Sequence, residues 1–168
     1  MSIVDLTSAT PGVVNTVSLD RIPQAVAVDP ARGIAAVADA GANNLTLVNL
    51  NSASIVGRVP AQLPTAVVFD AVPGQFITNA SLGNILVAVN PDTLQSTGIK
   101  SSINPTSIAY NFASGTLVTV NTASGTFSVM DMVEQRIRIV HRELQERTYP
   151  FGPRDSLVVK TGHLVQKG

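Results

Sequence analysis

The stretch "PGQFITNASLGNILVAVNPDT", residues 73–93, decides how the rest of the chain is interpreted. It holds two short apolar runs, "FIT" and "ILVAV", and each ends at an asparagine, Asn79 or Asn90. The pattern has counterparts 41 residues earlier and 41 residues later. A fixed period of about 40 residues indicates an array of like structural units.

Three kinds of residue define the repeat. A proline opens each unit, a glycine follows it, and a short polar residue ends the third apolar run. These repeat positions are Pro23, Pro64 and Pro105; Gly33, Gly74 and Gly115; and Asn49, Asn90 and Asp131. Asn79 follows its glycine one residue earlier than Asp39 and Asn121 follow theirs, which predicts a one-residue slip inside the second unit.

Each unit divides into four short runs. The first follows the proline ("AVAVD", "AVVFD", "SIAYN"), and its length and β-branched residues predict a strand rather than a helix. The glycine then supplies the positive φ of a hairpin turn. Three further runs follow in each unit, such as "IAAVAD", "LTLVN" and "SIVGRV" in the first. Four antiparallel strands in a unit of this length predict an all-β fold made of β-propeller blades.

The stretch "FITNASLGNILVAVN" resembles the YVTN-type bacterial β-propeller repeat, whose motif runs Tyr-Val-Thr-Asn, a loop, and then Asn-Thr-Val-Ser-Val-Ile-Asp. Residues 76–79 match its first part and residues 84–90 its second, whereas the first unit departs with "AVAD" at 36–39. The resemblance covers residues 1 to about 139. It implies a bacterial parent protein, periplasmic or extracellular, and an interaction or scaffold role. A minority of such propellers are lactonase-like or quinoprotein-like enzymes.

Composition excludes several classes of function. Among the 168 residues there is no cysteine, and the formal net charge is zero, which gives no electrostatic case for binding nucleic acid. No apolar run is long enough to span a membrane, and the first residues do not form a signal peptide. Residues 1–132 carry four Lys/Arg and seven Asp, but residues 133–168 carry seven Lys/Arg and four acidic residues, so a boundary falls between them.

The loops that form a propeller's rim offer little chemistry. They read "PAQLP", "KSSINP", "AGANN", "ASLGN" and "TASGT", with Lys100 as their one charged residue and no histidine. General acid–base catalysis and metal binding both need titratable groups there. Asp29 and Asp70 are interpreted as turn residues, and His141 and His163 lie outside the repeats. We therefore predict no catalytic, cofactor-binding or metal-binding residues and no cofactor.

The expected organisation is a partial blade at 1–22, blades at 23–63, 64–104 and 105–139, and a divergent charged tail at 140–168. We favour a strand over a helix at 136–140, with a polar connection or short helix after it; the tail could begin a further blade. Pairing of residues 2–6 and 15–20 with residues 153–165 would close the ring of blades. We favour instead an incomplete open arc, which would be a fragment of a larger protein.

An open arc leaves unpaired strand edges, expected here near Val4 and Ile137, and such edges promote self-association. The function that fits these expectations is a non-enzymatic module that binds a protein or a surface polymer. The alternative is part of a lactonase-like or quinoprotein-like enzyme whose catalytic blades are missing.

Overall fold

The computed structural model describes residues 1–101, 103–132, 136–140 and 147–150, the last two ranges through their backbone. Over these residues the fold is all-β, and the strands form one two-stranded and three larger antiparallel sheets. The strands are β1 Ser2–Asp5, β2 Gly12–Thr16, β3 Pro23–Asp29, β4 Ile34–Asp39, β5 Asn44–Asn49, β6 Ser54–Pro60, β7 Val67–Asp70, β8 Gln75–Ala80, β9 Ile85–Val89, β10 Ser96–Lys100, β11 Pro105–Asn111, β12 Thr116–Asn121, β13 Thr126–Asp131, β14 Arg136–Val140 and β15 Arg147–Pro150.

Each larger sheet is a blade whose strands follow one another in chain order. Blade 1 contains β3 to β6, blade 2 contains β7 to β10, and blade 3 contains β11 to β15. The first strands lie together, since β3 contacts β7 and β7 contacts β11. These strands therefore form the inner edge around which the blades are arranged, as in a β-propeller. Strands β1 and β2 form a separate two-stranded sheet, here called the half-sheet.

The predicted slip in the second unit is wrong. Strands β4, β8 and β12 end at Asp39, Ala80 and Asn121, which are 41 residues apart, and a short 3-10 turn follows each of them. Asn79 therefore occupies the position before the strand end. Because neighbouring residues of a strand point to opposite faces of the sheet, its side chain faces away from the side that Asp39 and Asn121 occupy.

The strand predicted at 136–140 is confirmed, but the unpaired edge predicted near Ile137 is wrong. Ile137 pairs with Met130 on one side and with Tyr149 of β15 on the other. Residues 147–150 of the tail thus add a fifth strand to blade 3. The predicted connection, the ring closure and the further blade that the tail could begin depend on residues 141–146 and 152–165, which lie outside the described residues.

Two apolar clusters hold the blades together. The leading face of a blade is the face turned toward the preceding blade, and the trailing face is turned toward the next. In the first cluster, Ala36 and Leu45 of blade 1's trailing face pack with Phe76 and Val89 of blade 2's leading face. The second cluster joins blades 2 and 3 through Ile77, Leu86, Leu117 and Met130.

Outer turns also interlock. Leu94, in the β9–β10 turn of blade 2, packs against the first cluster and over Gly57 in β6 of blade 1. A Cβ atom on Gly57 would lie 2.4 Å from a methyl group of Leu94, whereas one on the equivalent Gly98 would have its nearest neighbour at 3.5 Å. A side chain at Gly57 would therefore displace Leu94 of the next blade, whereas one at Gly98 would make only ordinary contacts.

The three leading faces differ in polarity where they approach the 3-10 turns. Four positions in each blade determine this polarity. They are the third-last and last residues of its second strand and the first and third residues of its third strand. Blade 2 is mainly apolar there and blades 1 and 3 are mainly polar. In chain order, the residues are Val37, Asp39, Asn44 and Thr46 in blade 1; Thr78, Ala80, Ile85 and Val87 in blade 2; and Thr119, Asn121, Thr126 and Ser128 in blade 3.

Candidate functional site: an apolar pocket on the rim

A pocket of about 710 Å³ opens on the rim between blades 1 and 2. It lies at the end of the blades that carries the 3-10 turns and the links from one blade to the next. Its lining comes from the loops "AGANN", "PAQLP" and "ASLGN" and from strand β9. The lining residues are Asn43, Pro60, Ala61, Gln62, Ala80, Leu82, Gly83, Ile85 and Val87. None of these side chains is ionisable.

Small side chains help to explain the hollow. The trailing face of blade 1 ends in Ala38, and the leading face of blade 2 ends in Ala80, both in the same apolar cluster. Gly83 adds no side chain, although a Cβ there would meet its neighbours only at 3.5 Å or more. Leu82 stands at the pocket with 69% of its surface exposed. The site therefore suits an apolar group, because it offers apolar surface and few polar partners.

Two asparagines fasten the loops beside this pocket. Asn43 and Asn84 both follow a 3-10 turn in the left-handed region, with φ of 55° and 54°. The Asn43 side chain accepts a hydrogen bond from the backbone N–H of Leu63 (2.9 Å), and Asn84 accepts one from that of Asn104 (2.8 Å). Each asparagine thus holds the link that leads into the next blade. Blade 3 has Gly125 at the equivalent position.

The link residues adopt a costly backbone. Ile22, Leu63 and Asn104 all precede the repeat prolines and have φ between 51° and 55°. A left-handed conformation costs a residue with a side chain about 1–2 kcal/mol, and least for asparagine. Ile22 is β-branched, so its conformation is the least favourable of the three. Such strain persists where surrounding contacts fix the chain, here hydrogen bonds such as that from Ala40 N–H to the Ile22 carbonyl.

Asn79 is a structural bridge between blades 2 and 3. Its side-chain oxygen accepts hydrogen bonds from the N–H groups of Thr65 (2.9 Å) and Ala66 (2.8 Å). Its Nδ2 lies 2.7 Å from the Thr65 hydroxyl, 2.8 Å from Ser81 Oγ and 2.8 Å from the Pro105 carbonyl. The side chain is fully buried. It therefore holds both the entry to blade 2 and the first residue of blade 3.

The opposite rim carries Asp29 and Asp70, both buried. Asp29 accepts hydrogen bonds from the N–H groups of Ala31 and Arg32, and Asp70 from that of Val72. Although burial opposes it, hydrogen bonding by Arg32 lowers the pKa of Asp29. The carboxylates therefore act in turns, as the sequence interpretation expected.

The side chains of Arg32 and Tyr110 interact with these turn aspartates, and both interactions reach a neighbouring blade. The Arg32 guanidinium lies 2.7 Å from Asp29 and 2.9 Å from Asp92, which belongs to the outer turn of blade 2. Burial, and after it the neighbouring Asp70, raises the pKa of Tyr110 to about 12. The phenol of Tyr110 is therefore protonated at neutral pH and is not available as a base.

The repeat positions serve turns and strand starts. Gly33, Gly74 and Gly115 have φ of 63°, 67° and 63° in the first hairpin of each blade. Pro23 and Pro105 begin β3 and β11, and Pro64 precedes β7. Asn49 and Asn90 each accept two backbone N–H groups of the following turn, and Asp131 ends β13.

Within the described ranges, no three His, Cys, Asp or Glu side chains come together as a metal site would require. Over the same part of the chain, no helix has the length and apolar character needed to cross a membrane.

The sequence interpretation missed the pocket and the Asn43–Leu63 link. The loops that line the pocket were identified from the sequence as rim loops. The pattern of polar and apolar residues in these loops does not show that small side chains leave space between two blades. An asparagine after a short Gly/Ala turn was the available signal for a left-handed residue. Its partner lies 20 residues further on, and no local pattern indicates such a partner.

No family model matches the chain, and no curated protein sequence matches it. Solved structures do. Hydrazine synthase of Kuenenia stuttgartiensis superposes with a TM-score of 0.66 at 16% identity, over 83% of this chain and 40% of the other. A chain of a nidogen/laminin complex superposes with a TM-score of 0.62 at 18% identity, over 84% of this chain and 55% of the other.

This chain therefore spans about half or less of the length of these neighbours. Both contain β-propeller domains, and likeness at such low identity concerns the fold alone. Taken with the antiparallel sheets arranged around their first strands, it establishes that this protein is built of β-propeller blades.

Proposed function

We propose that the chain is a non-enzymatic interaction module of the YVTN-type β-propeller kind, which binds a protein partner through the rim pocket. The observation that carries the proposal is the pocket itself, with about 710 Å³ of space and a lining that has no ionisable side chain. Such a site can bury an apolar side chain, and it supplies neither a nucleophile nor a general base.

The pocket's setting supports a protein partner over a carbohydrate polymer. Its polar lining is limited to two amide side chains, Asn43 and Gln62, whereas Leu82 offers exposed apolar surface beside it. A Leu, Ile or Phe side chain projecting from a partner would bury its surface against Ile85 and Val87. Apolar anchors in pockets provide much of the binding energy in protein interfaces.

Selection of displayed peptides on the purified chain tests this function. We expect selected peptides to share an apolar anchor residue and to lose binding to Leu82→Glu and to Gly83→Leu, which would fill the pocket. The control is Val72→Glu, because Val72 is 83% exposed at the opposite end of β8. Peptides that bind the Leu82 and Gly83 variants as tightly as the wild type would contradict the proposal.

A further inference from the structure

The trailing face of blade 3 is apolar and exposed. It consists of two cross-strand pairs, Val118 with Val129 and Val120 with Phe127. Val120 is 50% exposed and Phe127 is 42% exposed. The equivalents of Phe127 in blades 1 and 2 are Leu45 and Leu86, and both are fully buried by the next blade.

The opposite end of the array has a matching exposed position. Val4 of the half-sheet is 47% exposed. Strand β1 has a register shift between Ile3 and Val4, and β5 has the same shift between Leu47 and Val48, so Val4 is equivalent to Val48. The equivalents of Val48 in blades 2 and 3 are Val89 and Met130, and the exposed surface of all three is 2% or less.

Within the chain, residues at these two positions already share an apolar cluster at two interfaces. Leu45 and Val89 belong to the cluster between blades 1 and 2, and Leu86 and Met130 belong to the cluster between blades 2 and 3. Phe127 and Val4 are the third pair of the same series. They stand at opposite ends of the blades that the structure describes, and both are partly exposed to solvent.

We propose that a second copy of the chain covers these surfaces head to tail, so that the Phe127 face of one copy packs on the Val4 face of the next. The contact repeats an interface that the chain already forms twice. Because the two surfaces differ, the contact is heterologous and can extend beyond a dimer or close into a ring. Exposed strand faces of this kind favour association.

Two aspartate variants test the proposal by light scattering coupled to size-exclusion chromatography. We expect the wild-type mass to rise with concentration, and Phe127→Asp and Val4→Asp each to be monomeric. An equimolar mixture of the two should form a 1:1 dimer and no larger species, because each variant retains one intact face. Val72→Asp, in a turn away from both faces, should associate like the wild type.

Other results would overturn it. A monomeric wild type, association that survives both single changes, or a mixture that stays monomeric would each refute head-to-tail packing. Circular dichroism confirms that the variants fold, which is expected because both side chains are partly exposed.

The absence of cysteine permits a second test that leaves these faces largely apolar. With a bifunctional thiol cross-linker that spans two packed sheets, about 10 Å, Val4→Cys/Phe127→Cys should form cross-linked ladders, whereas Phe127→Cys alone should not form dimers. A cross-link within a single chain would show instead that one copy closes its own ring.

Discussion

The substitution Asn79→Ala measures how strongly one buried amide holds blades 2 and 3 together. It leaves the N–H groups of Thr65 and Ala66 without their side-chain acceptor and the Pro105 carbonyl without one of its two side-chain donors. An unsatisfied buried donor costs about 1–3 kcal/mol. Since Thr65 and Ala66 are half-buried, we take the lower part of this range for each and expect a loss of about 3 kcal/mol in the free energy of unfolding.

The chain contains a matched control for this experiment. Asn90 also accepts two backbone N–H groups, from Asp92 (2.9 Å) and Thr93 (3.2 Å), but it is exposed. Water can replace its side chain, so Asn90→Ala should cost about 0.5 kcal/mol. Urea unfolding followed by far-UV circular dichroism measures both values.

Equal losses for Asn79→Ala and Asn90→Ala would refute the reasoning, because burial is the difference between them. A change in the urea slope for Asn79→Ala would have a separate meaning. It would indicate that the blades no longer unfold together, and the single free energy of unfolding would then not apply.

Three further outcomes follow from the packing and the turns. Gly57→Ala should lower the free energy of unfolding by about 1–3 kcal/mol because the new methyl group meets Leu94, while Gly98→Ala should be neutral or slightly stabilising in the same urea titration. Ile22→Asn should raise the free energy of unfolding by about 1 kcal/mol, because asparagine adopts the left-handed conformation at lower cost than isoleucine. A melting temperature equal to that of the wild type would argue against strain at that position. The pKa of Asp29 is lowered in the folded state. The ionised carboxylate therefore contributes its full stabilisation above the unfolded-state pKa of about 3.9, and this stabilisation is lost as the pH falls further. The difference in free energy of unfolding between wild type and Asp29→Asn should shrink from pH 6 to pH 3, and a constant difference would exclude this linkage.

The strands were predictable because local chemistry determines them. Alternating apolar residues and a glycine at each first hairpin are sufficient to predict β4, β8 and β12 and their turns. The slip was wrong because it equated Asn79 with Asp39 by side-chain type. In the structure the backbone keeps a constant length, and Ala80 takes the strand-ending position. Backbone length therefore governs the repeat, and side-chain polarity at a given position does not.

Non-local features could not be predicted in the same way. The strand β15 would be a fifth strand, and the repeats contain only four. The 41-residue period therefore could not predict where β15 lies. Small residues from two blades, such as Ala61, Ala80 and Gly83, line the pocket, and side-chain volume at an interface is not visible in a polarity pattern. The edge predicted at Ile137 was wrong because a fifth strand pairs there.

The difference in polarity between leading faces limits how this array could have changed by duplication. Loss of blade 2 would set the apolar trailing face that ends in Ala38 against Asn121 and Ser128 of blade 3, leaving buried polar groups beside alanine. Copying blade 2 in tandem would set Asn79 against Ala80 and Val87. Adding or removing one blade therefore sets an apolar face against a polar one, whereas adding or removing two neighbouring blades keeps the alternation of polarity from one interface to the next.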